Sequence, residues 1–87
     1  MHYYVVMSNM KRLKNSQQRR VSLGKAIRHR REAMDCSQEA FAEKVDCHRN
    51  YVSLVERGQQ NITVDMLGRF AVILECSIAE LMEGAKL

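Results

Sequence analysis

The sequence predicts a compact all-α domain of five short helices with a basic N-terminal arm. Proline is absent and glycine occurs only four times among the 87 residues, so few residues interrupt helical segments. Apolar residues recur at spacings of three and four between Leu23 and Leu81, the period of an amphipathic helix. Ser37, Thr63 and Ser77 precede three of these segments, where hydroxyl groups cap helix N-termini. A chain of this length forms one domain, and its core is too small for a deep catalytic cleft.

The arm is predicted to span residues 1–20, and the folded domain residues 21–87. The arm is rich in Lys, Arg, Asn, Gln and Ser and has no helical apolar stripe. The first helix is predicted to begin near Ser22 and to end at Asp35, because Asp tolerates the left-handed conformation that closes many helices. Three apolar side chains share its inner face: Leu23, Ile27 and Met34.

The second and third helices are separated by a break of only three residues, 46–48. Ser37 is the predicted N-cap of the second helix, and Gly58 ends the third. The buried face of the second helix is Phe41, Ala42 and Val45, and that of the third is Tyr51, Val52 and Val55. Two short helices joined by so tight a turn cross at a large angle, which is the geometry of a helix-turn-helix.

The last two helices are also indicated by their caps. Thr63 caps the fourth helix, and Ile62 and Leu67 are spaced as a hydrophobic staple across that cap. Ser77 and Glu80 form a capping box that opens the fifth helix. The predicted core positions are Val64, Leu67, Phe70, Ala71 and Leu74 on the fourth helix, with Ile78 and Leu81 on the fifth.

Charge is distributed unevenly along the chain. Residues 1–31 hold nine basic residues and no acidic residue, whereas residues 32–87 hold five basic and ten acidic residues. A basic block at one end of a small domain favours a polyanionic partner, since each phosphate neutralised releases counterions. Nucleic acid is the leading candidate and an acidic membrane surface the second. Charge alone leaves open that the block is a solvated tail.

Several classes of site are not indicated. Cys36, Cys47 and Cys76 are odd in number and include no Cys-x-x-Cys pair, so neither a disulfide framework nor a zinc site is predicted. No catalytic constellation, phosphate loop or cofactor motif is present in the sequence, and we expect no enzymatic activity and no cofactor. The longest apolar run, residues 70–74, is far shorter than the roughly 18 residues of a membrane span. We expect a cytoplasmic, nucleoid-associated protein.

The motif Ser-Gln-Glu-Ala-Phe-Ala-Glu-Lys-Val, residues 37–45, is followed by Asp-Cys-His and by Arg-Asn-Tyr-Val-Ser-Leu-Val-Glu-Arg-Gly, residues 49–58. This segment resembles the phage-repressor and Cro type of helix-turn-helix over about residues 22–84. The resemblance implies a lambda-repressor-like DNA-binding domain with a recognition helix at about residues 48–57. Arg49 to Ser53, with Glu56, Arg57, Asn61 and Thr63, also looks like the restriction-modification controller branch. Asp46 departs from the family, where glycine is usual, and so does Arg30, where an apolar residue is common.

The DNA-contacting residues follow from the helix pattern and from the resemblance. Once Val52 and Val55 face inward, the opposite face of the recognition helix carries the predicted base-reading residues: Arg49, Asn50 and Ser53. Predicted contacts to the DNA backbone are Gln38, His48, Tyr51, Arg57 and Asn61, with arm contacts from Lys11, Arg12, Lys14, Arg19 and Arg20. Other roles remain open: a solvated Gln38, a helix cap at His48, a packed ring at Tyr51, and a helix-dipole contact at Arg57.

The family further implies an ion pair between Arg31 and Glu56, and dimerisation through the C-terminal region. The predicted dimer interface is Met66, Ile73, Ile78 and Met82. Glu39 and Glu43 are either an acidic contact for RNA polymerase or a solvated helix face.

The sequence therefore predicts a homodimeric, sequence-specific regulator of transcription that binds a near-palindromic operator in double-stranded DNA. Repressor and controller remain alternatives within that class. A protein-interaction module, either a bridging factor or an antitoxin, is the alternative from another class, and a nonspecific nucleic-acid chaperone is the third.

Overall fold

The computed structural model describes residues 15–86, which form five α-helices. They are α1 (Ser16–Ala33), α2 (Gln38–Val45), α3 (Arg49–Glu56), α4 (Val64–Ile73) and α5 (Ile78–Gly84). No strand occurs among these described residues. The predicted all-α class and the order of five helices are confirmed.

The helix starts follow the predicted caps. The Ser37 hydroxyl accepts a hydrogen bond from the Ala40 backbone N–H at 3.0 Å, and Thr63 caps α4 in the same way. At α5, Ser77 and Glu80 make the reciprocal capping box, with bonds of 3.0 and 3.1 Å. The N–H of Ser77 is also the main reason that the pKa of the Glu80 carboxyl lies below its usual value.

The first helix differs from its prediction, because α1 begins at Ser16 rather than near Ser22. Its first turns lack an apolar stripe, but Gln and Arg are good helix formers, and each residue added to an existing helix gains a backbone hydrogen bond. The predicted arm therefore does not extend to residue 20, and Arg19 and Arg20 lie on a helix. The other predicted arm contacts, Lys11, Arg12 and Lys14, lie outside the described residues.

The core lies where α1 packs on α3 and α5, and where α2 packs on α3 and α4. The rings of Phe41 and Phe70 meet edge to face at its centre, with centroids 5.0 Å apart. The largest fully buried side chains are Phe41, Phe70, Ile27, Leu81 and Val52. They come from all five helices, so the core fixes the position of each helix relative to the others.

Two predicted core residues are wrong: Met34, which follows the end of α1 as its C-cap, is 37% exposed, and Val64 is 76% exposed. Val64 is the first residue of α4. The first turn of a helix can extend past the core, even where its residue fits the apolar pattern. Ile78, also predicted to face inward, is only half-buried against the core.

Glycine allows a close backbone contact between α1 and α3. A Cβ atom added to Gly24 would lie 2.4 Å from the Val55 carbonyl oxygen and 2.6 Å from that of Glu56. At the same end of α3, Gly58 has a φ of +73°, and a Cβ there would collide with Val21. These contacts place the C-terminal end of α3 directly against α1.

Candidate nucleic-acid interface

The turn between α2 and α3 has the sharp geometry that the sequence predicts. Asp46 adopts the left-handed conformation, with a φ of 64°. The N–H of Cys47 then bonds back to the Ala42 carbonyl at 2.9 Å, which closes the end of α2. Ala42 is only 3% exposed, so its small side chain lets the two helices pack closely.

The third helix has one buried and one exposed face. Val52 and Val55 are buried, whereas Arg49 and Asn50 are exposed and Ser53 is half-buried. The three predicted base-reading residues therefore avoid the core, with the two larger ones at the N-terminal end of the helix. Arg49 Nε lies 3.9 Å from a Glu39 carboxylate oxygen, and both side chains remain largely exposed.

His48 caps α3, which was one of its two predicted roles. Its Nδ1 accepts a hydrogen bond from the Asn50 backbone N–H at 3.1 Å. A neutral imidazole that accepts at Nδ1 carries its proton on Nε2. Since the His48 side chain is exposed, that N–H is a donor available outside the helix, and capping and phosphate contact are compatible.

At the opposite end of α3, the structure brings Arg31 and Glu56 together. Arg31 Nε and Nη2 donate to the two carboxylate oxygens at 2.6 and 3.0 Å, and Nη1 donates to the Cys36 carbonyl. The side chains are 8% and 2% exposed. The hydrogen bonds to Glu56 raise the pKa of the Arg31 guanidinium above its usual value. The pair joins the end of α1 to the end of α3.

Gln38 joins the same cluster. Its side-chain nitrogen donates to a Glu56 carboxylate oxygen at 3.0 Å, so the side chain is not simply solvated. This hydrogen bond links the N-terminus of α2 to the C-terminus of α3. It leaves the second N–H of the amide and its oxygen for other partners, and the phosphate contact of Gln38 stays a prediction.

Tyr51, Arg57 and Asn61 have different surroundings. The half-buried ring of Tyr51 packs edge to face on Phe70, with centroids 6.2 Å apart, and burial raises the pKa of its hydroxyl. The Nε of exposed Arg57 donates a hydrogen bond to the Ser53 carbonyl at 3.4 Å. This places a positive charge at the negative end of α3. Exposed Asn61 lines a cleft together with Arg19 and Arg20.

The four predicted dimer residues are all half-buried and pack against the core: Met66, Ile73, Ile78 and Met82. Two largely exposed valines accompany them on α4, with Val64 76% and Val72 73% exposed. Val72 was not predicted to lie on this surface, although its place beside Ile73 was a signal. Leu54, an apolar residue that is only half-buried on α3, was not predicted as a site residue either.

Arg69 is a third residue that was not predicted from the sequence. It projects from α4 and donates to the Val45 and Asp46 carbonyls at the turn between α2 and α3. Only its basic character was visible in the sequence, because its partners are brought to it by the packing of α2 on α4.

Other kinds of site are not formed by the described residues. No group of three or more His, Cys, Asp or Glu residues there is placed to hold a metal ion. Cys36, Cys47 and Cys76 carry free thiols, and burial raises the pKa of Cys47 and of Cys76. None of the helices α1 to α5 is long and apolar enough to cross a membrane.

Comparisons with known proteins agree with this geometry. A family described as helix-turn-helix matches residues 27–81. The control protein C.MunI from Mycoplasma sp is 36% identical over 52 residues, which are 60% of this chain and 70% of that protein.

Two solved structures are also similar. The restriction-modification controller protein C.AhdI from Aeromonas hydrophila is 36% identical with a TM-score of 0.68, over 70% of this chain and 92% of that chain. The clp gene regulator ClgR from Corynebacterium glutamicum is 26% identical with a TM-score of 0.76, over 78% of this chain and 72% of that chain.

Proposed function

Since the chain belongs to the helix-turn-helix family of DNA-binding transcription regulators, in its restriction-modification controller branch, we propose that it binds a near-palindromic operator as a homodimer. The observation that carries the proposal is the two-sided recognition helix. Its inner face is buried and its C-terminal end is held by Glu56, while Arg49 and Asn50 remain exposed at its N-terminal end. Such a helix presents base-reading side chains in one fixed orientation.

The chemistry of the exposed face fits the major groove. An α-helix with its side chains is about 10 to 12 Å across, which fits a major groove about 12 Å wide, and the eight residues of α3 extend about 12 Å along it. Arg49 supplies the donors that read O6 and N7 of guanine, and Asn50 the donor and acceptor that read adenine. Ser53 and the half-exposed Leu54 lie farther along the helix, where Leu54 supplies an apolar contact for a thymine methyl group.

Contacts to the DNA backbone surround this helix in the proposed complex. They come from the amide of Gln38, the Nε2 of His48 and the hydroxyl of Tyr51, with Arg57 and Asn61 beyond the end of α3. Arg19 and Arg20 share a cleft with Asn61, so the basic N-terminal part of α1 extends the same surface. These contacts position the protein, and the base contacts select the sequence.

The proposed dimer forms through α4 and α5. Met66, Ile73, Ile78 and Met82 retain exposed apolar surface there, and Val72 adds to it. A twofold interface would place two recognition helices in successive major grooves about 34 Å apart. The controller relatives favour the regulation of restriction and modification genes over a phage-type repressor role. Glu39 and Glu43 are both exposed and available to contact RNA polymerase.

Selection of binding sites from a pool of random duplex DNA tests the proposal directly. The full chain should enrich a sequence with two related half-sites, and sedimentation of the protein alone should give the mass of a dimer. Enrichment of no sequence, together with retention of all duplexes equally, would instead support a nonspecific chaperone. Binding to no duplex would support the protein-interaction role.

In this proposal the segment before α1 contributes the positive charges of Lys11, Arg12 and Lys14. These side chains follow the DNA backbone or enter an adjacent minor groove. Deletion of residues 1–14 should leave the selected sequence unchanged and weaken binding. The salt dependence should become shallower by about 0.9 log unit per decade of salt for each phosphate that is no longer neutralised. An unchanged slope would identify this segment as a solubilising tail.

A further inference from the structure

Backbone carbonyls at the end of α2 are bound by a side chain from another helix. Within the turn, the N–H groups of Asp46 and Cys47 bond back to the carbonyls of Glu43 and Ala42. The carbonyls of Val45 and Asp46 instead accept from one nitrogen of Arg69, on α4. The distance to the Asp46 oxygen is 3.1 Å, and the contact with Val45 is shorter.

An arginine suits this position for two reasons. Its positive charge lies at the negative end of α2, where the last carbonyls of the helix have no partner within the helix. Its planar group also fixes the direction of the two N–H bonds on Nη2, the nitrogen that donates to both adjacent carbonyls. The Asp46 carboxylate contributes less, because its nearest oxygen is 3.9 Å from Arg69 and the side chain is 99% exposed.

The turn needs such a restraint. Asp46 holds the left-handed conformation at a position where its Cβ makes that conformation less favourable than it is for glycine. Only Cys47 and His48 separate it from α3. A change in the backbone at Asp46 would therefore tilt the N-terminal end of α3, which carries Arg49 and Asn50.

We propose that Arg69 is a positioning residue for DNA recognition, which clamps the turn between α2 and α3 to α4. The clamp holds the base-reading end of α3 at one angle to α4. Because α4 carries Met66 and Ile73 of the proposed dimer interface, the same clamp sets the angle between each recognition helix and the dyad. This inference rests on the proposed function, since it concerns the discrimination of one DNA sequence from another.

The test compares Arg69→Met and Arg69→Lys in the full chain, with Arg28→Met as the matched control. Arg28 is also an exposed helical arginine, and its carboxylate partner Glu32 is on the same helix. Lysine keeps the charge but replaces the planar group with a single ammonium. Each variant is titrated against the selected operator and a scrambled duplex of equal length, at several salt concentrations. Thermal melting checks that each protein is folded at the assay temperature.

We expect the ratio of operator affinity to scrambled affinity to fall by about tenfold in Arg69→Met, the loss of roughly one charged hydrogen bond. Arg69→Lys should lose most of that ratio as well, although its charge is intact. Arg28→Met should keep the wild-type ratio. Asp46→Asn should also keep it, since the carbonyls and not the carboxylate hold Arg69.

Three results would overturn the inference. An unchanged ratio in Arg69→Met would make the contact purely structural. An equal loss on both duplexes, with a shallower salt dependence, would make Arg69 a phosphate contact. A loss in Asp46→Asn as large as in Arg69→Met would assign the effect to the carboxylate. If the wild-type protein itself does not distinguish the two duplexes, the proposed function fails, which is a separate result.

Discussion

The two ends of the recognition helix are held by different chemistry. At the C-terminal end, the Glu56 carboxylate accepts hydrogen bonds from Arg31 and Gln38 in a buried cluster, and Gly24 brings the backbone of α1 against the helix. At the N-terminal end, the cap is a single hydrogen bond to exposed His48, and exposed Arg49 follows it.

This difference places the residues needed for stability and the residues proposed for DNA recognition at opposite ends of one eight-residue helix. Buried charged groups are costly to leave unpaired, so changes at the C-terminal end should strongly destabilise the domain. Exposed groups contribute little to folding, so changes at the N-terminal end should alter DNA binding and leave the fold intact. Substitutions at the two ends, each with a matched control, test that separation.

The largest effect is expected for Glu56→Gln. The substitution leaves the Arg31 charge buried without its counter-charge, which should cost about 3 to 5 kcal/mol of unfolding free energy. A domain of this size has about 5 to 15 kcal/mol in total. Urea denaturation followed by circular dichroism measures the loss. The control is Glu32→Gln, whose exposed pair with Arg28 should contribute no more than about 1 kcal/mol. A Glu56→Gln protein as stable as wild type would remove the distinction between the two ends.

The next effect is expected for Gly24→Ala. The added methyl group would lie 2.4 Å from the Val55 carbonyl oxygen, and a backbone atom cannot rotate away as a side chain can. We expect a net loss of stability, because the clash with backbone atoms should cost up to about 3 kcal/mol, whereas the better helix propensity of alanine returns at most about 1 kcal/mol. The matched control is Gly68→Ala, where the nearest atom is 3.9 Å away.

Gly68→Ala should stabilise the domain by up to about 1 kcal/mol. Thermal melting of the two variants side by side measures the contrast. Equal effects at the two glycines would mean that α1 and α3 are not in the close contact described.

Arg49→Ala should affect binding alone. We expect a loss of about 1 to 3 kcal/mol on the selected operator, with relaxed preference at one base pair in each half-site. Affinity for a scrambled duplex should fall much less, and the melting temperature should stay that of wild type. Arg28→Ala controls for the removal of a positive charge. An equal loss on both duplexes would reduce Arg49 to a phosphate contact.

The smallest effect is expected for His48→Ser. Serine is a good N-cap, so stability should stay within about 0.5 kcal/mol of wild type, whereas His48→Ala should lose about 1 kcal/mol. The serine variant lacks the Nε2 donor, and we expect a loss of about threefold on operator and scrambled DNA alike, from one phosphate hydrogen bond. Binding equal to wild type would leave His48 as a helix cap only.

Features that depend on neighbours along the chain could be predicted from the sequence. The caps at Ser37, Thr63 and Ser77 and the three-residue break at 46–48 are such features, because a helix end is set by a few consecutive residues. The start of α1 was predicted too late, since it depends on helix propagation beyond the apolar face.

Contacts between helices that are distant in sequence could not be predicted from residue patterns. The hydrogen bonds of Gln38 to Glu56 and of Arg69 to the turn depend on how the helices cross. The pairing of Arg31 with Glu56 was expected only because the family resemblance implied it. The exposed outer face of α3 could be predicted from the residue pattern, because the positions of the buried Val52 and Val55 determine it.

The close approach of Gly24 to the end of α3 also bears on the mechanics of the proposed complex. Where backbone touches backbone, no flexible side chain absorbs movement, so α1 and α3 shift together as one stiff unit. Two such units joined at a dyad hold their recognition helices at a nearly constant separation. An operator that does not match this separation has to bend or twist, and the elastic energy of that deformation depends on its base steps. We therefore expect the base pairs between the half-sites to change affinity through their stiffness, even where no side chain touches them.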